Sequence, residues 1–250
     1  MTGPITRVPR RPPADGAGLT HAGCRRPDNE DAILTDPTGA LWAVADGMGG
    51  YGHGDLAADL VIEALSHVPH DAAGPAPLVT ALEAANRAVR QRAAREGFGQ
   101  MGATVVAALV LEGRAVVAWV GDSRAYRLSG GELAQLTRDH SVVQDLVDQG
   151  RIAPADAEDH PQSHVVTRAI GATEAVAVAL AETPLGPGDR LLLCSDGLIR
   201  CLGDAEIAAL LATAEGPDAA CRALVEAALH RGAPDNVSVV VVRAGGADAG

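Results

Sequence analysis

The order of hydrophobic patterns along this 250-residue chain predicts an α+β fold with antiparallel sheets. Three observations carry that expectation. Strand-like runs come in clusters separated by short EG, GD and SGG turns, so neighbours can pair as hairpins. Helix-like runs come in two adjacent pairs instead of alternating with single strands, which excludes a doubly wound βαβ order. The last apolar run, NVSVVVVRAG, follows the second helix pair and must return to a sheet begun much earlier.

Residues 18 to 45 hold two or three strand-like runs, including DAILTD and LWAVAD. GDLAADLVIEALSHV (54–68) places apolar residues at helical spacing, and PHDAAGPAP breaks it. LVTALEAANRAVRQRAAREG reads as a second amphipathic helix, stopped by Gly97. From 102 to 136 the pattern becomes short strands: GATVVAALVLEG, RAVVAWVGDS, RAYRLSG and GELAQLT. VQDLVDQG is a short helix, and the polar stretch 150–173, punctuated by Pro154 and Pro161, reads as a surface flap. AVAVALAETPL and RLLLCSDG are strands, and EIAALLATAEG and DAACRALVEAALHRG are helices. With no repeat and no long linker, one domain is expected at 18–245, with a disordered arm at 1–17 and a flexible tail at 246–250.

Bulk composition narrows the function classes. At 47% apolar and 21% charged residues the chain reads as a soluble globular domain. No apolar run approaches the roughly 20 residues of a membrane span, so no membrane partner is expected. The opening MTGPITRVPRRPPADGAG lacks the apolar middle of a signal peptide, and a cytoplasmic location follows as an expectation. A net charge of −12 argues against nucleic acid as a partner. All 20 basic residues are Arg, which excludes a catalytic or phosphate-loop lysine. Cys24, Cys194, Cys201 and Cys221 lack paired metal spacing and read as reduced thiols, with Cys194 and Cys221 in core contexts.

The stretch AVADGMGG (43–50) poses the chemical question, because an apolar strand runs into Asp46 and three glycines follow it. A carboxylate there is costly unless something positive neutralises it. The glycines signal either tight turns or the close approach of another group. The context recurs: apolar strands also end at Asp122 (VVAWVGDS) and Asp196 (RLLLCSDG), and one starts after Asp235 (APDNVSVVVV). A further acidic cluster, Asp28, Glu30 and Asp31, precedes AILTD. Each acid alone is most simply a turn residue or helix cap. Asp122 has a further alternative, neutralisation by Arg124. On a common rim, however, the acids would repel one another unless they share a cation. Oxygen-only ligands suit Mg²⁺ or Mn²⁺.

RPDNED (26–31), VADGMGG (44–50), MGATVVAALV (101–110), GDSRAY (121–126), TRDHS (137–141), TRAIGA (167–172), SDGL (195–198) and PDNVSVVVV (234–242) occur in this order. Together they resemble the bacterial branch of the protein phosphatase 2C family, the metal-dependent Ser/Thr protein phosphatases. The resemblance implies a four-layer α/β/β/α sandwich, two antiparallel sheets each faced by a helix pair. It also implies hydrolysis of phosphoserine and phosphothreonine by a hydroxide bridging two divalent cations, Mg²⁺ or Mn²⁺, with a third, weaker ion.

The resemblance assigns roles by position. Asp46 bridges the two metals and Gly47 offers its carbonyl to one of them. Asp196 and Asp235 ligate the same pair, and Glu30 and Asp31 hold metal-bound waters. Asp122, with Asp196, binds the third ion. Arg26, five residues before Asp31, holds substrate phosphate in preference to Arg25. Phosphorylated proteins, with a cognate Ser/Thr kinase or its substrates, are the expected partners of a monomer. There are departures: the His that follows DG in eukaryotic members is Met48 here, and the His after GMGG in many bacterial members is Tyr51. His53 is near in sequence, and metal-bound water is an alternative acid. His140, His160 and His164 flank the flap as structural or substrate-facing groups. A weakly catalytic phosphoprotein-binding module of the same fold would be expected to have lost Asp46, Asp196 or Asp235, and all three are present. Scarce aromatics, at 2%, and the acidic charge disfavour a nuclease.

Overall fold

The structure, a computed structural model, describes residues 14–49, 53–69, 71–157 and 159–245. Apolar alternation builds two five-stranded antiparallel sheets. One contains β2 (Asp31–Thr35), β3 (Leu41–Gly49), β4 (Met101–Leu111), β5 (Arg114–Val120) and β8 (Ala179–Pro184), in that spatial order. The other runs β1 (Ala14–His21), β10 (Val237–Ala244), β9 (Arg190–Cys194), β6 (Arg124–Ser129) and β7 (Glu132–Gln135). The expected return of the last strand is met, since β10 lies antiparallel between β1 and β9.

Three separate apolar cores show the layering. In the first, Ala43 and Ala45 of β3 and Val105 and Ala107 of β4 face α1 (Gly54–Ser66) and α2 (Ala76–Glu96). In the second, Leu192 and Val239 face α5 (Asp204–Thr213) and α6 (Pro217–His230). The third lies between the sheets, where Trp42, Val44, Val106, Val117, Leu191, Leu193, Val240 and Val242 interdigitate. Successive strand residues point to opposite faces, so each long strand feeds two cores. This is the four-layer α/β/β/α sandwich.

Helix boundaries follow local chemistry. Leu78, Leu82, Ala85 and Val89 put one buried stripe on α2, which ends where Gly97 turns left-handed at φ 68°. The short α3 (Val142–Asp148) starts at Ser141, whose hydroxyl accepts from the Gln144 amide at 3.2 Å. The expected flap is a surface segment of turns and one 3₁₀ turn, Pro154–Asp156. It is tied down by Val142 N–H to Val165 O at 2.9 Å and Thr167 N–H to His140 O at 2.7 Å.

Three details differ from expectation. The first strand begins at Ala14, inside the arm expected over 1–17, because Ala14–Ala17 pair with Val241–Ala244. The strand carrying Asp46 does not stop there: Gly47, Met48 and Gly49 continue pairing with Ala103, Gly102 and Met101. A four-residue helix, α4 (Asp196–Ile199), follows β9 where only a strand end was read. Residues 1–13 and 246–250 and Tyr51 lie outside the described residues.

Candidate active site

The rows of side chains between the sheets turn polar at one end of the sandwich. On β3 the row reads Trp42, Val44, then Asp46. On β2 it passes from Ile33 to Asp31, and on β4 from Val106 to Thr104. Past β9 it passes from Leu193 to Ser195, and along β10 from Val240 to Ser238 and Asn236. Register then does the assembly: Asp46 lies opposite Asp31 on one side and Thr104 on the other. Asp122 follows β5, Asp196 opens α4, and Asp235 precedes β10. Five carboxylates from five segments thus meet at one end of the inter-sheet core.

Their electrostatics record the crowding. Asp46 is pushed well above the usual carboxylate range by burial, then by the charges of Asp196, Asp31, Asp122 and Asp235. Burial lifts Asp31 to about 7 against hydrogen bonds from Ser238 and Ser195, with Asp196 and Asp235 adding repulsion. Burial likewise lifts Asp122 to about 7, aided by Asp196 and Asp139. Asp196 is raised by burial against the opposing pull of Arg200.

Hydroxyls hold Asp31 in place. Ser195 Oγ donates to Asp31 Oδ2 at 2.9 Å, and accepts from the Ser238 amide at 3.0 Å. Ser238 Oγ meets Thr20 Oγ1 at 2.7 Å, and Asn29 Nδ2 donates to Thr20 Oγ1 at 2.8 Å. Asp31 Oδ1 is buried with no hydrogen-bond partner among the described residues. An orphaned carboxylate oxygen in a low-dielectric cleft is expensive, so its presence points to a ligand of opposite charge.

Two arginines flank the acids. Arg26 forms a fork on Asp235, with Nε to Oδ1 and Nη2 to Oδ2 both at 2.9 Å. Arg200, one helical turn beyond Asp196, reaches its Oδ2 at 2.5 Å and lies 3.9 Å from Asp235 Oδ2. Arg25, the alternative to Arg26, is exposed and makes no ion pair with another described residue. The alternative for Asp122, neutralisation by Arg124, is not realised. Arg124 turns to Asp139, with Nη2 to Oδ2 at 2.7 Å and Nε to Oδ1 at 2.9 Å.

Glu30 and Gly47 form the hinge between site and helix. Glu30 Oε1 accepts the Gly54 amide that opens α1 at 3.2 Å, and Glu30 O accepts from the Gly47 amide at 3.0 Å. A Cβ on Gly47 would lie 2.1 Å from Gly54 O and 2.5 Å from Glu30 O. Of the two meanings open for the glycines after Asp46, close approach is the one realised at Gly47. Asn236 fastens the loop carrying Glu30: its Oδ1 accepts from the Glu30 amide at 2.9 Å, and its Nδ2 donates to Ala22 O and Asp28 O. Asp28 itself is exposed.

The histidines stay outside this cluster. His53 stacks on Phe98 with ring centres 3.7 Å apart. His140 Nδ1 accepts from the Gly121 amide at 3.0 Å and so steadies the turn before Asp122. Burial, and then Arg168, lower its pKa to about 4. His160 Nδ1 accepts from the Gln162 amide within the flap, and His164 is exposed. Ser195, Arg200 and Asn236 belong to the site but were not read from the sequence. The signal for Ser195 was its place in the alternating inter-sheet row, and for Arg200 its i,i+4 spacing from Asp196.

The donor set fits a hard divalent cation: oxygen only, partly buried, mutually repelling, with one orphaned oxygen. Among the described residues no group of three or more His, Cys, Asp or Glu side chains is drawn together closely enough to hold a metal ion as it stands. An open cradle of separate carboxylates suits an ion that retains water ligands.

Comparison with known proteins agrees with the fold. Residues 17–233 match the family model described as protein phosphatase 2C. The chain is 42% identical over 229 residues to the serine/threonine protein phosphatase PstP of Mycobacterium tuberculosis, covering 90% of this chain but only 44% of PstP. It therefore spans under half the length of that relative. It is 34% identical over 210 residues to the serine/threonine phosphatase stp of Listeria innocua, covering 80% and 82% of the two chains. The crystal structure of M. tuberculosis PstP superposes with a TM-score of 0.88 at 38% identity, covering 93% of this chain and 99% of that one. A further structure of the PstP catalytic domain, in complex with two manganese ions, gives 0.85 at 38% identity, covering 93% and 98%.

Proposed function

The chain belongs to the protein phosphatase 2C family, and from that premise we propose that it is a divalent-metal-dependent phosphatase of phosphoserine and phosphothreonine in proteins. The observation that carries the reading is the group of five carboxylates at the end of the inter-sheet core, where burial and neighbouring acids raise the pKa of Asp31, Asp46, Asp122 and Asp196. Such a group serves no structural purpose by itself, since like charges in low dielectric destabilise the fold.

Asp46, Asp196 and Asp235, with the Gly47 carbonyl, would hold a tight cation pair. Glu30 and Asp31 would orient its waters, and Asp122 with Asp196 would hold a third, weaker ion. Mg²⁺ or Mn²⁺ would serve in each place. The cations, when bound, acidify water and neutralise phosphate charge. The chain's own residues do the rest. Ser195 fixes one oxygen of Asp31 and leaves the other, buried without a partner among the described residues, for a cation. Asn236 and Glu30 tie the loop after β1 to the start of α1, which holds Asp46 and Asp235 at a fixed separation. Arg26, its side chain 53% exposed at the rim, presents a planar fork that matches a phosphate dianion as it matches Asp235. No cysteine nucleophile is required, in keeping with Cys194, whose thiol burial pushes up to about 12. Among the described residues no helix is long and apolar enough to cross a membrane. We place the protein in the cytoplasm as a monomer, acting on phosphoproteins of a cognate Ser/Thr kinase.

Hydrolysis of a phosphothreonine peptide, measured with Mn²⁺ and then with excess chelator, tests the reading. Release of phosphate only with the metal, and its loss by at least 100-fold in Asp46→Asn, is the expected result. Turnover that survives both changes would refute it.

A further inference from the structure

A cavity of about 550 Å³ opens beside the carboxylate cluster, bounded by Met48 and Gly49 on β3, Arg90 and Ala93 on α2, and the strand start at Met101 and Gly102. None of the five acids lines it, but it lies at the same end of β3, since Met48 and Gly49 are the residues that follow Asp46 and Gly47 along that strand. Gly49 lies three positions from Asp46, about 10 Å away at the rise of a strand. An extended peptide has the same rise, so a chain leaving the cluster along this cleft brings its third residue level with Gly49. The floor is small and apolar on both sides, with Ala169, Gly171 and Ala172 facing Gly102. That leaves room for backbone and no counter-charge.

Among the described residues the one ionisable side chain lining the cavity is Arg90, exposed on α2 and in no ion pair with another of them. Arg90 also borders a neighbouring cavity, but there Glu83 and Glu174 stand beside Arg87 and Arg90 and offset the positive charge. The unopposed positive charge is therefore on the side that adjoins the cluster. Several arginines form no ion pair among the described residues, and Arg90 is the one of them that lines this cavity.

Resting on the phosphatase reading, we infer that this cleft seats the polypeptide flanking the phosphorylated residue, and that Arg90 selects substrates with an acidic side chain about three positions away. An exposed ion pair between a long side chain and a peptide carboxylate contributes modestly, about 1 kcal/mol at most, which is a factor of about fivefold in kcat/KM.

The test uses phosphothreonine peptides that differ only by Glu, Ala or Arg at each position within four of the phosphoresidue. Each kcat/KM is divided by the same protein's value on an aryl phosphate. For the wild type, Glu two to four residues away on one side is expected to exceed Ala by about threefold to fivefold. Arg90→Ala should abolish that preference, Arg90→Lys should keep part of it, and Arg90→Glu should reverse it in favour of Arg. A normalised ranking unchanged in Arg90→Glu overturns the assignment, as does a wild-type preference that is strongest next to the phosphoresidue. Failure of the wild type to hydrolyse the aryl phosphate with Mn²⁺ would instead strike the phosphatase reading beneath it.

Discussion

At the scale of single residues, the site is an electrostatic liability that the fold retains. Asp31 and Asp122 have folded pKa values near 7, against 3.8 for a free carboxyl, because burial and neighbouring acids disfavour their charge. The sign follows by linkage. A carboxyl whose folded pKa is raised binds its proton more tightly in the native state, so the native state gains stability as pH falls from about 7 towards 4. Above 7 the repulsion is fully present. The metal-free protein should therefore melt at a higher temperature at pH 5.5 than at pH 8, and Asp46→Asn should raise the pH 8 melting temperature. The expected rise is about 2–4 °C for each kcal/mol of repulsion removed. Thermal melts in chelator check this; an Asp46→Asn protein less stable at pH 8 would assign Asp46 a structural role. Arg124 carries the opposite lesson. The closeness of Asp122 and Arg124 in sequence offered a pair, yet Asp122 lies in the bend between β5 and β6 while Arg124 opens β6 and meets Asp139 fifteen residues on. That long-range partner was not legible locally.

At the scale of elements, the glycines are set by contact between backbones. Gly47 lies where β3 touches the first turn of α1, with Gly54 O and Glu30 O occupying the space of any side chain. Gly47→Ala must push α1 away from β3 and should cost about 1–3 kcal/mol. Gly74→Ala, with nothing within 4 Å of its Cβ, should stay within about 0.5 kcal/mol. Urea denaturation of the two variants measures the contrast, and equal stabilities would show that β3 and α1 are not locked at this point. The sequence revealed that something approached Asp46 closely or turned after it, but not which. Choosing between them required the pairing of Gly47–Gly49 with Met101–Ala103. The four-residue α4 escaped for a related reason: it is too short to show a period, and its place is fixed by tertiary packing. A Cβ on Gly197 would lie 1.9 Å from Asn236 O.

At the scale of the whole molecule, the sandwich converts alternation into a site. Clustered strands, paired helices and a late last strand were enough to read the α+β class and most element positions, because each depends on local periodicity. The recurrence of acids beside strand ends made Asp46, Asp122, Asp196 and Asp235 visible as a set. What stayed hidden were the supporting groups. Ser195 reaches Asp31, and Thr20 links Ser238 to Asn29 beside it, only when β1, β9 and β10 lie side by side. Hydroxyls carry no charge pattern by which a sequence would announce them.

The central claim is that the polar end of the inter-sheet core is a divalent-cation site built on Asp46. Calorimetric titration of the purified, chelator-treated protein with Mn²⁺ tests it most directly. The account predicts two tightly bound ions in the wild type, affinity weakened at least tenfold in Asp46→Asn, and the tight pair retained in Asp122→Asn. A wild type that binds no Mn²⁺, or an Asp46→Asn protein that binds it as tightly, would contradict it.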